Sequence, residues 1–272
     1  MAAVELRPGA ALAPFVARMG RYRGDHPPGR ELSLPTGAVQ LTVNLAEDAL
    51  SRWGAAPMRV GGAGFVGPSG GPAVIDPAQQ RDTVWVLFRA GGAAAFLPGG
   101  AHELRDGLVD LADVWGRDGA TLRERLLSAA DPVRALERVL TGRLLRGPDP
   151  ALVAAARALH DGASVAATAD RLGWTTRHLG RRFAAGIGLA PKRFGRVRRF
   201  QRLLRAVTAG GAPDWARLAV ECGYYDQAHL VNEFRDLSGL TPGAYRPRDP
   251  AARNHVPLSP IPPEGSGRSS EA

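Results

Sequence analysis

The chain has 272 residues, 44% of them apolar, which is enough for one large domain or two ordinary ones. One cysteine, Cys222, excludes an internal disulfide and a cysteine-built zinc site, and a reducing, cytoplasmic setting fits. No apolar run reaches the roughly 18–20 residues that cross a bilayer, and the opening MAAVELRPGA lacks the pattern of a signal peptide, so neither membrane insertion nor secretion is expected. The net charge of +9 comes from 34 arginines and a single lysine, Lys192, against 26 acids. Residues 1–150 carry 17 basic side chains against 16 acidic, residues 151–248 carry 16 against 7, and residues 249–272 carry 2 against 3. An excess confined to the middle segment suits a polyanion, because each neutralised phosphate releases condensed counterions. A merely soluble, arginine-rich surface is the competing reading.

Taken in chain order, residues 38–45 (AVQLTVNL) and 83–88 (TVWVLF) alternate and are β-branched, which predicts strands of a small antiparallel sheet or barrel. Turns are expected at 35–37, 61–71 and 98–100. From Leu111 the pattern becomes helical. Asp131 and Pro132 read as an N-cap with proline at the first helical position, and Val133, Leu136, Val139, Leu140 and Leu144 then mark one apolar face. Residues 147–150 (GPDP) read as a linker, and residues 249–272 as a disordered tail of Pro, Gly and Ser with few large apolar groups.

Three local patterns mimic catalytic or cofactor sites. Gly62, Gly64 and Gly67 match GxGxxG, but the following PSGGP cannot start the helix that would hold a pyrophosphate. Ser69 sits in a GxSxG match without the strand and helix of a nucleophile elbow, so it reads as a turn residue. His26, His102 and Glu103 lack the spacing of a metal site. No enzyme activity, cofactor or metal is expected. Trp53, Trp85, Trp115 and Phe88 read as core, and Cys222 as a small buried hydrophobe rather than a redox sensor.

The decisive pattern is an internal repeat. Residues 169–194 and 219–245 are two copies of one unit. Each has an alanine four residues before a glycine (Ala169 and Gly173; Ala219 and Gly223), then an aromatic (Trp174; Tyr224) and, after a turn, a leucine and phenylalanine four apart (Leu179 and Phe183; Leu230 and Phe234). Beyond each phenylalanine the spacing is identical: Gly188 and Gly239 at plus five, Pro191 and Pro242 at plus eight, Phe194 and Tyr245 at plus eleven. This is the physics of a helix-turn-helix: the alanine permits a close crossing, the glycine takes the positive φ that ends the first helix, and the Leu/Phe pair anchors the second. The outward face of the second helix is then Arg177, Gly180, Arg181 and Ala184 in copy one and Gln227, Ala228, Val231 and Asn232 in copy two. Arginine, glutamine and asparagine can pair bidentately with base edges in a major groove.

Thr175 or Thr176 is expected to cap the first of these helices, where the N-terminus could also face a phosphate, and Asp226 to cap the second. His178 and His229 lie beside the reading faces, within reach of a phosphate or in a structural role. Between the copies, residues 192–207 predict a long helix with Phe194, Val197, Phe200, Leu203, Leu204 and Val207 on one face and Arg193, Arg196, Arg199, Arg202 and Arg205 on the other. Such a helix could hold two recognition helices about one duplex turn apart.

On these residues, 151–248 resembles the DNA-binding domain of the AraC/XylS family of bacterial transcription regulators, and GYYDQAHLVNEFRDLSGLTPGAYR is similar to its signature. The resemblance implies a seven-helix, two-subdomain fold in which Arg177, Gly180 and Arg181, then Gln227, Ala228 and Asn232, read bases. Thr175, Thr176, Arg196, Arg199 and His229 are the matching phosphate candidates. Gly180 is shorter than the polar residues often found at its position. Residues 1–146 resemble more loosely the N-terminal half of such regulators, which implies an α+β chain with a cupin-like β domain that senses a small effector or dimerises. Double-stranded DNA, RNA polymerase and a second copy of the chain are the implied partners. A nonspecific nucleic-acid binder and a hydrolase built on Ser69 with a basic tether are the alternatives.

Overall fold

The computed structural model describes residues 2–25, 29–54, 56–210 and 213–258; His26 of the metal reading lies outside them. The N-terminal half contributes β1 (Ala2–Leu6), β2 (Val16–Arg23), β3 (Glu31–Ser33), β4 (Gln40–Asn44), β5 (Leu50–Trp53), β6 (Pro57–Val60), β7 (Ala63–Val66), β8 (Ala73–Ile75), β9 (Asp82–Phe88) and β10 (Leu108–Asp110). Short helices follow as α1 (Leu111–Trp115), α2 (Arg117–Ala120), α3 (Leu122–Leu127) and α4 (Pro132–Gly142). The C-terminal half is α5 (Pro150–His160), α6 (Val165–Arg171), α7 (Thr176–Ile187), α8 (Pro191–Thr208), α9 (Trp215–Cys222) and α10 (Gln227–Ser238), closed by β11 (His255–Pro257). The chain is thus α+β, with antiparallel sheets in its first half and helices in its second.

The strands form two antiparallel sheets, in the orders β1-β2-β9-β4-β7-β10 and β11-β3-β8-β5-β6. Alternation along the central strands decides where the apolar core sits. Leu41 and Val43 of β4 and Val84, Val86 and Phe88 of β9 point to one side, where they pack with Trp115, Leu122, Leu136 and Leu140 from the helices. The indole Nε1 of Trp115 donates to Phe96 O at 2.8 Å, which lets the ring be buried without an orphaned donor. Asp131 caps α4 as expected, accepting from Val133 N and Arg134 N at 3.0 Å. Trp115 and Phe88 are core; Trp53 and Trp85 are half-buried, lying under Arg30 and Arg18 respectively. Ser69 is a turn residue, its hydroxyl donating to Gly71 O at 2.6 Å, and Gly62 to Gly67 run along β7 rather than into a helix.

Two expectations about the connections are corrected. The linker read over residues 147–150 already belongs in part to α5: Asp149 and Pro150 repeat the cap of Asp131 and Pro132, with Asp149 accepting from Ala151 N at 3.0 Å. The tail read as disordered from residue 249 is ordered through Leu258, because β11 pairs with β3 over His255/Ser33, Val256/Leu32 and Pro257/Glu31. The backbone bonds Leu34 N to Asn254 O (2.8 Å) and Leu258 N to Arg30 O (2.9 Å) extend that pairing. Three short residues of β3, almost without periodic signal, are the partner that a sequence pattern could not supply.

The halves share cores rather than merely touching. Leu34 and Val256 are buried in one cluster with Val197, Phe200, Leu203, Leu230 and Phe234 of the second helix-turn-helix unit. Gln201 of α8 donates to Pro35 O and to Asn254 Oδ1, both at 2.8 Å. At Gly188 a Cβ would lie 2.7 Å from Ala101 O and the φ is +90°, so this glycine both ends α7 and lets it approach the β domain. Leu34→Ala is therefore expected to lower the urea-unfolding free energy of the helical half by about 2–4 kcal/mol; an unchanged midpoint would mean that the β domain does not dock there.

Candidate nucleic-acid interface

The repeat read from the sequence is a structural repeat. Gly173, Gly188, Gly223 and Gly239 all take positive φ, at +64°, +90°, +82° and +73°. Leu179, Phe183, Leu230 and Phe234 are fully buried. Phe183 meets Phe194 edge-on at 5.2 Å and 71°, and Phe234 meets Tyr245 at 5.7 Å and 72°, so the residue eleven positions on closes each unit in the same way. The aromatic after each first-helix glycine is matched too: Trp174 packs edge-on against His178 at 4.9 Å, and Tyr224 against His229 at 5.5 Å.

Both recognition helices are capped as expected. Thr175, not Thr176, is the cap of α7, its hydroxyl oxygen accepting from His178 N at 3.1 Å. Asp226 caps α10, accepting from His229 N at 2.7 Å. These caps leave Arg177, Arg181, Gln227, Ala228 and Asn232 exposed on the helix surfaces, with Gly180 half-buried among them. Arg177 and Arg181 make no hydrogen bond or ion pair among the described residues. Their neighbour Arg182 is different: it pairs with Asp149 at 2.6 Å and lies over the Trp174 ring.

The arginine face of α8 is an internal lattice. Arg199 holds Glu233 through two bonds, Nε to Oε1 at 2.9 Å and Nη2 to Oε2 at 2.6 Å, and stacks over Tyr224. Arg196 donates to Glu233 Oε2 and to Asp236 Oδ2, both at 2.9 Å. Arg196 and Arg199, expected to contact phosphate, are thus tied to a carboxylate with 3% side-chain exposure while their own side chains stay 34% and 23% exposed. His229 accepts from Tyr225 N at 3.2 Å through Nδ1 and meets the Tyr224 ring edge-on, with its side chain 40% exposed. Arg202 donates to His160 O and Cys222 O, and Arg193 pairs with Asp106 of the β domain at 3.3 Å. Sequence reasoning missed Glu233 because an acid one residue before the anchoring phenylalanine looks like a solvated position; the signal was the pair of arginines three apart on the facing helix.

The two units flank an open cleft of about 1260 Å³, floored by α8 and walled by the start of α6 and by α10, with Lys192, Asn232 and Asp236 among its lining. Cys222 is buried beside it, and burial pushes its thiol pKa above the usual range, so it is a packing residue and not an activated thiolate. Among the described residues no group of three or more His, Cys, Asp or Glu could hold a metal, and no helix is long and apolar enough to cross a membrane. Glu233→Ala takes the buried carboxylate from both arginines, leaving Arg199 without an acid and Arg196 with Asp236 alone, and is expected to cost about 3–5 kcal/mol of stability by chemical denaturation. The Glu233→Ala, Arg199→Ala double variant should lose less than the sum of the single losses; strict additivity would show that the pair does not interact.

Residues 152–248 match the model of a helix-turn-helix domain, and residues 4–110 that of a domain of unknown function (DUF6597). No curated protein matches the chain. Solved structures similar to it include ToxT from Vibrio cholerae, at 9% identity over 84% of this chain and 96% of that one, with a TM-score of 0.47. Another is wild-type ToxT from the same organism with an unsaturated fatty acid bound, at 10% identity over 85% and 94%, with a TM-score of 0.44. With its duplicated spacing, paired glycines and paired ring contacts, the segment 152–248 is a helix-turn-helix domain of the AraC type.

Proposed function

We propose that the protein reads a specific duplex sequence with α7 and α10 in successive major grooves, as a cytoplasmic regulator whose β domain adjusts that reading. One observation carries it. On both helices the outward polar side chains stay exposed, while the neighbouring Arg182, Arg196 and Arg199 are tied into ion pairs. Selection for a merely basic surface has no reason to divide the arginines in this way, whereas base reading requires the free ones at these positions.

Arg177 and Arg181 are suited to guanine O6 and N7, and Gln227 and Asn232 to adenine N6 and N7. Gly180 and Ala228 allow the backbone close to the groove floor, Ala228 with a methyl that suits thymine. Thr175 and Thr176, at the N-terminus of α7, are phosphate candidates beside Arg196, Arg199 and His229, because the helix dipole and backbone N–H groups there favour an anion. Helix α8, with 18 residues, is about 27 Å long and holds the two readers in one polypeptide. An asymmetric, non-palindromic site with half-sites about one turn apart follows. RNA polymerase and a second copy of the chain are partners consistent with this role.

Arg181→Ala, measured on a duplex recovered by selection and on its scrambled counterpart, should weaken binding to the first by about 1–3 kcal/mol and relax preference at one base step. Equal losses on both duplexes would mean that Arg181 touches only the backbone.

A further inference from the structure

The turns of the two helix-turn-helix copies differ by one residue. From the glycine that ends the first helix to the cap of the second, the first copy runs Gly173, Trp174, Thr175, and the other runs Gly223, Tyr224, Tyr225, Asp226. Thr175 and Asp226 are equivalent, each accepting from the backbone N–H of the histidine three residues on. Trp174 and Tyr224 are equivalent too, each packing edge-on against that same histidine. Tyr225 is therefore the inserted residue, without a counterpart in the first copy.

Its side chain plays no part in packing. A residue just before an N-cap commonly packs on the fourth helical residue. Here that residue, Leu230, is fully buried while Tyr225 is 89% exposed. Of the four tyrosines, Tyr224 and Tyr245 are buried and Tyr22 is half-buried, so Tyr225 alone is displayed to solvent. Its ring and hydroxyl make no hydrogen bond or ring contact among the described residues. Its backbone is fixed all the same: Tyr224 N donates to Ala219 O at 2.8 Å, and Tyr225 N donates to His229 Nδ1 at 3.2 Å.

The caps on either side of this difference carry different charges. Thr175 leaves the N-terminus of α7 neutral and open to an anion, whereas Asp226 places a carboxylate at the N-terminus of α10. A phosphate approaching α10 as it would approach α7 meets that negative charge. A neutral donor that reaches past the carboxylate can still hold it, and a phenol O–H is such a donor. Tyr225 stands one residue before the cap, at the lip of the helix, while Gln227, Ala228 and Asn232 lie within it.

We propose that Tyr225 is a DNA-contacting residue, its hydroxyl donating to a phosphate oxygen of the strand that borders the groove entered by α10. The proposal rests on the reading of α10 as a groove-bound helix and adds the contact that fixes its N-terminus. Being uncharged, Tyr225 would set the position of α10 without adding to the counterion release that makes arginine contacts salt-dependent.

The test is binding of the full chain to a duplex recovered by selection and to its scrambled counterpart, at two salt concentrations. Tyr225→Phe removes only the hydroxyl, and at 89% exposure the fold does not depend on it. About tenfold weaker binding is expected on both duplexes, as for a lost hydrogen bond to a charged group, with an unchanged slope of log affinity against log salt. Replacing single phosphates of the selected duplex by uncharged methylphosphonates should reveal one position in the α10 half-site that weakens the wild type about tenfold and Tyr225→Phe hardly at all. Unchanged affinity in Tyr225→Phe overturns the proposal; if transcription from the same site falls nonetheless, the tyrosine meets a protein instead. A loss confined to the selected duplex also overturns it, since Tyr225 would then read a base. Should selection return no motif, base reading fails, yet the comparison on a mixed-sequence duplex still decides Tyr225, because a phosphate contact does not depend on sequence.

Discussion

Phe194, Val197, Phe200, Leu203 and Leu204 put one stripe of α8 into both helix-turn-helix cores, and Gln201 and Arg198 put an adjoining stripe against the turn at Pro35 and Thr36. A helix buried along two stripes cannot roll without opening a core, and each buried phenylalanine or leucine there contributes about 1.5–3 kcal/mol. Everything that bears on DNA hangs from this helix. It closes the first unit through Phe194, carries the second through Phe200, and presents Arg196 and Arg199 to α10.

The ion cluster around Glu233 complements that packing. Hydrophobic contact fixes how deep α10 sits but is tolerant of small rotations; two arginines converging on one carboxylate are directional. A buried cluster of this kind adds little net stability over an apolar replacement, yet it discriminates strongly against a misplaced helix, because displacement strands a charge in a dry site. For the base reading proposed above, the angle of the reading helix matters more than the depth of its burial. In the proposed reading, the exposed arginines meet DNA on a surface whose supporting charges are already neutralised.

Much of this was legible from residue order. The duplicated spacing from alanine through glycine to the closing aromatic located both helix-turn-helix units, because each position answers a local steric demand: small at the crossing, positive φ at the turn, large and apolar at the anchor. Asp131, Thr175 and Asp226 were legible as caps for the same reason. What was not legible depends on meetings between distant segments. The strand at His255–Pro257 exists only because Glu31–Ser33 offers an edge. The pairing of Arg196 and Arg199 with Glu233 was not legible because that acid lies more than thirty residues further along.

The docking of the two halves also decides how the protein should be assayed. Leu32, Leu34 and Val256 belong to the second helix-turn-helix core, so a fragment cut at the start of α5 would expose an apolar surface that the β domain normally covers. Selection of bound duplexes from a random pool by the full chain, repeated at two salt concentrations, is the most direct measurement. A motif with two unlike half-sites centred about ten base pairs apart, retained at the higher salt, is expected. Binding without a motif, collapsing as salt rises, would contradict it and leave the arginines as phosphate contacts alone.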